Sequence, residues 1–424
     1  MALGERRRLR QLVPSPTVSS ELTQRLAVAP VDALIDLVLD DDEPWWRRRT
    51  CARALLGRVP DDRAAALLAC VRDLAATAEL REALLAALST PGRPHAPELL
   101  AWLQAQDGVE QPFGLDVAVL RARAVLADLS AALPLAELAA DAWSHRRVVG
   151  EQSIDALIEA RGLTAMLTEL GAASLEMLAF ADPRPPLRLL GVRLLERAGA
   201  DLKRALADPD VIVAQRAYLA LAATRGDDDA LRAMVHARAP GHLWALAVLH
   251  RRGPAARPLW EALGRPRIEL PGVPADVRAA IVRAYAPGER ETDPRWLLEA
   301  AWHAPAPAID EDELLRRAGE ALAAAGCQPQ APISAEQQYQ QGAGTFHTFT
   351  TAAGTVTVST LGPFFTLTGA DPQAQAAMQA AMQAAGFRHI DAALAAIRVD
   401  GLHVYYFGTR EPLDVGTLLF YWQD

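Results

Sequence analysis

Leu206-Ala-Asp-Pro-Asp-Val-Ile-Val-Ala-Gln-Arg-Ala-Tyr-Leu-Ala-Leu-Ala-Ala-Thr-Arg-Gly226 decides the fold class. Asp208 is placed to cap a helix, Pro209 suits its first position, and Asp210 suits the positive end of its dipole. Val213, Ala217 and Leu221 fall at i, i+4 and i+8 on one face, and Gly226 stands where a helix stops. The small residue in the middle of that face lets a second helix approach closely, so the stretch reads as one member of a packed helix pair.

The pattern recurs outward from here. Leu187, Gly191 and Leu195, introduced by Asp182-Pro183, repeat it 26 residues earlier. Ala245 and Leu249 follow Pro240-Gly241, and Val277, Ile281 and Tyr285 follow Pro274. Near the N-terminus, Val31 to Leu39 runs into the acidic turn Asp40-Asp-Asp-Glu-Pro44 and a helix carrying Ala52 and Leu56. A helix-pair period of this kind marks stacked units that are unable to bury their apolar faces alone.

These motifs resemble the HEAT repeat, in the short bacterial form also found in phycobilisome-lyase-type proteins, over residues 20 to 300. The resemblance implies a mostly α fold, an α-solenoid of stacked helix pairs over residues 1–303. It also implies a concave surface offered to a protein partner.

Composition changes after a linker at residues 304–308. From Thr345 onward lie seven of the nine phenylalanines and eleven of the twenty threonines but only three arginines, a β-type mixture. Thr355 to Thr360 alternates as a strand, Phe364 to Thr368 and Leu418 to Trp422 read as further strands, and Ile397 to Phe407 reads as a hairpin turning at Asp400-Gly401. Asp371-Pro372 starts a helix whose face is marked by Met378 and Met382, and Asp310 to Ala325 forms another. Cys327 to Gly344 reads as a second linker. Residues 309–424 are thus expected to form a small α+β domain with an antiparallel sheet, readable as an αβββ unit used twice.

The chain has a formal charge of −9 and a pI near 5.6, a balance opposed to general phosphate binding. Arginine is abundant, yet there is one lysine, Lys203, and no asparagine. Both scarce residues have AT-rich codons, which points to a GC-rich genome as the cause. Cys51, Cys70 and Cys327 form no CxxC, and no apolar run is long enough for a membrane span. A cytoplasmic protein without membrane or cofactor is the expectation.

No GxSxG, HExxH or P-loop occurs, and Gly342-Ala-Gly344 lacks the third glycine of a dinucleotide fingerprint. His236, His242 and His250 are not spaced for one helical face. His347, His389 and His403 lie on or near expected strands and would converge on a metal only if those strands were neighbours. Trp45-Trp46-Arg47-Arg48-Arg49 is the most suggestive binding surface, since rings beside guanidinium groups stack on bases and grip phosphates. HEAT-like alkylpurine DNA glycosylases combine such a surface with a carboxylate, which Asp40 to Glu43 could supply. Alternatively, the tryptophans pack between repeats and the acidic turn pairs with the arginines. The pairs Arg146-Arg147, Arg251-Arg252 and Arg316-Arg317 read as solvated helix ends. The leading expectation is a non-enzymatic protein-interaction scaffold. The alternatives are a glycosylase-like nucleic-acid binder and a chromophore-lyase-like subunit.

Overall fold

The computed structural model describes residues 2–17, 19–224, 226–287, 290–302, 309–369 and 371–423. It is mostly helical, with small sheets confined to the C-terminal part. The chain divides into two compact units, Met1–Ala200 and Asp201–Asp424.

In the first unit, helices Trp45–Arg53, Ala78–Leu88, Leu115–Val125 and Ser144–Arg161 lie side by side as one layer. Helices Val31–Val38, Asp61–Arg72, Ala96–Gln104 and Ala132–Leu138 pack against them pairwise. Further along, Ala172–Phe180 pairs with Pro185–Arg197. Close approach is written into glycines: a Cβ on Gly191 would lie 2.6 Å from the Ala179 backbone, and one on Gly150 2.5 Å from that of Ala139.

The second unit begins with helices Val211–Ala223, Asp228–His236 and His242–Arg252. Val213 and Ala217 are fully buried, as the apolar spacing requires. The cap is displaced by two residues: Asp210, not Asp208, accepts from the Ile212 and Val213 amides at 2.9 and 3.3 Å. Asp208 instead accepts the Asp210 amide at 2.8 Å, turning the chain into the helix. Asp182 makes the same turn onto the Arg184 amide at 2.9 Å.

The strands are β1 (Ile333–Ser334), β2 (Ala343–Gly344), β3 (Phe346–Thr351), β4 (Gly354–Ser359), β5 (Phe364–Thr368), β6 (Arg388–His389), β7 (Arg398–Tyr406), β8 (Thr409–Asp414) and β9 (Trp422–Gln423). One sheet runs β1-β3-β4-β5-β6, antiparallel except for its last pair, while β2-β9 and β7-β8 stand as separate pairs. Helices Glu311–Ala324 and Pro372–Ala384 both cover the five-stranded sheet, with Leu314, Leu322, Met378 and Met382 packed on Phe349, Val358 and Phe365. In a duplicated αβββ unit the second helix would cover the second set of strands. Here the β7-β8 hairpin is covered by helices Ala275–Tyr285 and Pro294–Trp302 instead, through Val277, Ile281 and Trp296 against Val399, Leu402 and Val404. That core joins segments on both sides of the expected linker, residues 304–308, which lie outside the described residues.

Three local expectations are corrected. Asp400-Gly401 is not a hairpin turn: β7 runs through it with a register shift, and the chain reverses at Phe407-Gly408. Gly401 has φ +73° and a Cβ there would meet Ile268 at 2.8 Å, while its carbonyl accepts the Asp293 amide at 2.8 Å. The glycine therefore seats a bulge against Ile268, Asp293 and Trp296. Leu418 to Trp422 is not one strand, since Val415–Leu419 is a helical turn capped by Asp414. The stretch from Cys327 to Gly344 is not a plain linker, because Ser334 and Gln337 form a capping box that starts helix Ala335–Tyr339.

Candidate interaction surface

The acidic turn Asp40 to Glu43 and the arginines after it face each other. Glu43 is 6% exposed and accepts from Arg47 at 2.5 Å and also from Arg10. Burial alone would push its carboxyl up, but the bonds from Arg47 and Arg10 outweigh burial and hold it below its ordinary range. Arg47 also donates to the Val13 carbonyl at 3.0 Å, and Arg48 donates to the Val38 carbonyl at 2.8 Å and pairs with Asp41 at 2.8 Å. Arg47 lies over Trp46, which packs against the core, and Arg49 over Trp45, with guanidinium-to-ring distances of 4.8 and 5.1 Å. Trp45 is 43% exposed. The five residues thus divide: Trp46, Arg47 and Arg48 face inward contacts, Arg49 is half-buried against Trp45 with its Nε sealed from solvent, and Trp45 is the exposed member.

Inward use of arginine is a recurrent device. Arg81 donates to the Val71 carbonyl at 2.7 Å, repeating the Arg48 to Val38 contact 33 residues later. Arg58 reaches back to the Leu26 and Ala29 carbonyls, Arg93 to Val59, Arg161 to Ala127 and Arg252 to Leu221. Carbonyls near a helix C-terminus carry the negative end of its dipole and have no partner within the helix, so a planar guanidinium with several donors suits them. Some members of the arginine pairs behave alike. Arg146 pairs with Asp116 and Asp141 at 2.6 and 2.8 Å, Arg147 donates to the Asp141 carbonyl, and Arg317 donates to the Ala385 carbonyl. These members bind within the fold, whereas Arg251 is exposed with no ion pair among the described residues and Arg316 pairs with Glu313 and Glu320 on the exposed side of its own helix. Sequence reading missed this use; the spacing of Arg48 and Arg81 behind Val38 and Val71 is the signal that carries it.

The charges left outside are of both signs. On the layer containing Trp45–Arg53, the exposed stripes present Trp45 and Arg53, then Glu79 and Glu82 on the neighbouring helix, then Arg121 on the next. Arg53, Glu79, Glu82 and Arg121 have no ion-pair or hydrogen-bond partner among the described residues.

The histidine candidates stay apart. His347 on β3, Val358, Phe365 and His389 on β6 stand in one register row, but three strand spacings of about 4.8 Å put the two imidazoles about 14 Å apart. His347 meets Glu311 at 2.7 Å, and burial pushes the His389 imidazole below its ordinary pKa. His403 belongs to the separate hairpin and contacts the Glu291 carbonyl. Among the described residues no group of three His, Cys, Asp or Glu is placed to hold a metal ion. His242 contacts the Ala239 carbonyl at 3.0 Å. Gly344 is explained by packing, since a Cβ there would lie 2.4 Å from that of Ala335.

Two aromatic surfaces escaped the sequence reading. Phe113 and Trp143, 73% and 60% exposed, meet edge to face at 6.2 Å. In the second unit Tyr339, Trp422 and Phe407 form a ladder with ring separations of 4.2 and 5.3 Å. Phe407 holds φ +44° at the hairpin tip, a conformation that costs a non-glycine residue energy.

No family model, curated protein or solved structure matches the chain. Among the described residues no single helix is long and apolar enough to cross a membrane.

Proposed function

We propose that the chain is a non-enzymatic cytoplasmic adaptor of the HEAT-like solenoid kind. It binds a protein partner through the exposed face of the layer containing Trp45–Arg53, and the α+β part of the second unit supplies a further contact. The observation that carries this reading is the alternation of unpartnered charge on that face, from Arg53 through Glu79 and Glu82 to Arg121, with Trp45 beside it. A phosphate backbone presents a single sign, and the two carboxylates repel it. A folded protein presents both signs, and exposed Trp and Arg are the residue types that carry interface energy. The inward use of Arg47 and Arg48 further weakens the glycosylase-like alternative, because those guanidinium groups already have acceptors.

The test is to crosslink the native chain in its host, identify the protein recovered, and repeat with Arg53→Glu and Glu82→Arg. A direct partner on this face is recovered with the native chain and lost with either charge reversal. Recovery unaffected by both reversals would move the interface elsewhere. Submicromolar binding to duplex DNA that weakens steeply with salt and is lost in Arg53→Ala would replace the reading with nucleic-acid binding.

A further inference from the structure

A cavity of about 240 Å³ opens between helices Val211–Ala223, His242–Arg252 and Pro294–Trp302 in the second unit. Its floor is apolar, made by Ala247, Leu297 and Leu298 among others, and its described lining contains no carboxylate. Three polar groups line it: Tyr218, His250 and Arg251.

Each of the three has spare hydrogen-bonding capacity. Tyr218 is 8% exposed, its ring packs on Trp244 at 5.4 Å, and its hydroxyl has no partner among the described residues. The imidazole of His250 stands edge to face on Trp302 at 4.9 Å, with Nδ1 sealed from solvent and unpartnered, so Nε2 is its accessible nitrogen. Arg251 makes no ion pair among the described residues, although its neighbour Arg252 is bound to Asp228 and to the Leu221 carbonyl. Burial holds the His250 imidazole below its ordinary pKa, so near neutral pH it is a neutral donor or acceptor and Arg251 supplies the positive charge.

We infer that this cavity binds a small organic carboxylate with a flat apolar body, the carboxylate on Arg251 within reach of His250 and Tyr218. A concave, mostly apolar pocket with a few polar groups on its lining is the usual form of a small-molecule site, and a guanidinium matches a carboxylate in charge and planar geometry. The volume lies below the roughly 300–1,000 Å³ of sites for drug-sized ligands, which limits the occupant to about a single ring. The site is independent of the face proposed for the protein partner, which lies in the first unit.

The experiment uses the full chain and ligand-observed NMR titration with phenylacetate, phenylacetamide and the dipeptide Gly-Phe with a free C-terminus. Phenylacetate is expected to bind at least about tenfold tighter than the amide, the equivalent of one charge-assisted hydrogen bond. Arg251→Gln should erase that preference, Arg251→Lys should keep part of it, and Tyr218→Phe should weaken the acid severalfold. Tighter binding of Gly-Phe than of phenylacetate also supports carboxylate recognition and assigns its source to a peptide C-terminus. Equal affinity for acid and amide overturns the inference. So does a preference that survives Arg251→Gln, or absence of binding at millimolar concentration in a chain with an unaltered melting curve.

Discussion

Two glycine-to-alanine substitutions in helix interiors separate close packing from helix propensity. Gly191 lies in helix Pro185–Arg197 and Gly319 in helix Glu311–Ala324. In an isolated helix both changes gain about 1 kcal/mol, because alanine restricts the unfolded chain and glycine does not. At Gly319 the added Cβ meets only Phe349, at an ordinary 3.7 Å, so Gly319→Ala should keep most of the gain. At Gly191 it would stand 2.6 Å from both N and Cα of Ala179 and 2.9 Å from its Cβ. Backbone has no alternative rotamer, so the helix pair must part, and the cost belongs near the upper end of the overpacking range, about 3 kcal/mol. The net loss is about 2 kcal/mol. For units of this size about 1 kcal/mol moves the midpoint by about 2–4 °C, so Gly191→Ala should lower the first unit's transition by about 4–8 °C and Gly319→Ala should raise the second's by about 2–4 °C. Scanning calorimetry of the full chain reads both. If Gly191→Ala raises its transition as Gly319→Ala does, Ala172–Phe180 and Pro185–Arg197 are not in contact at that point and the helix-pair packing is wrong.

Arg81→Met keeps the apolar stem of a 4% exposed residue but strands the Val71 carbonyl, and should cost about 1–3 kcal/mol by urea denaturation; an unchanged midpoint would mean that water replaces the guanidinium. Arg123 is fully buried and bonded to Asp128 at 2.7 Å, so Asp128→Asn should cost about 3–5 kcal/mol; a loss under about 1 kcal/mol would show that Asp107 alone suffices. Burial pushes the Asp128 carboxyl up, but Ser130 and Arg123 outweigh it and leave it below its ordinary range. Its stabilisation is therefore present above about pH 4 and lost as pH falls through the depressed value, and the acid limb of a stability profile should flatten in Asp128→Asn. A fragment of residues 201–424 should unfold cooperatively, whereas one of residues 309–424 should not, since it lacks Val277, Ile281 and Trp296 from the core under the β7-β8 hairpin. Equal cooperativity in circular dichroism melts would establish the shorter segment as an independent domain.

Periodicity by itself determined the mostly helical fold. Leu187, Gly191, Val213, Ala217, Ala245, Leu249, Val277, Ile281 and Tyr285 are buried as spaced, because a helix of 3.6 residues per turn fixes its own face whatever it later packs against, while Leu195 and Leu221 are half-buried and Leu56 is exposed beyond the end of its helix. The shift to threonine and phenylalanine marked the strands for a similarly local reason, and Met378 and Met382 marked the face that covers them. Turn chemistry was legible only in part. The dipeptide Asp400-Gly401 suits a tight turn, but the left-handed glycine serves equally well in a bulge, and the choice was made by Ile268, Asp293 and Trp296 more than 100 residues away. The arginines and histidines were decided by tertiary structure alone. A guanidinium is equally at home in water, on a phosphate or on a helix-end carbonyl, and only the fold brings Val38 and Val71 to Arg48 and Arg81, separates His347 from His389, and leaves Tyr218, His250 and Arg251 around one cavity. Sequence spacing fixes which side chains share a face of one element. Distances between elements depend on closing loops of tens of residues, and no local pattern encodes them.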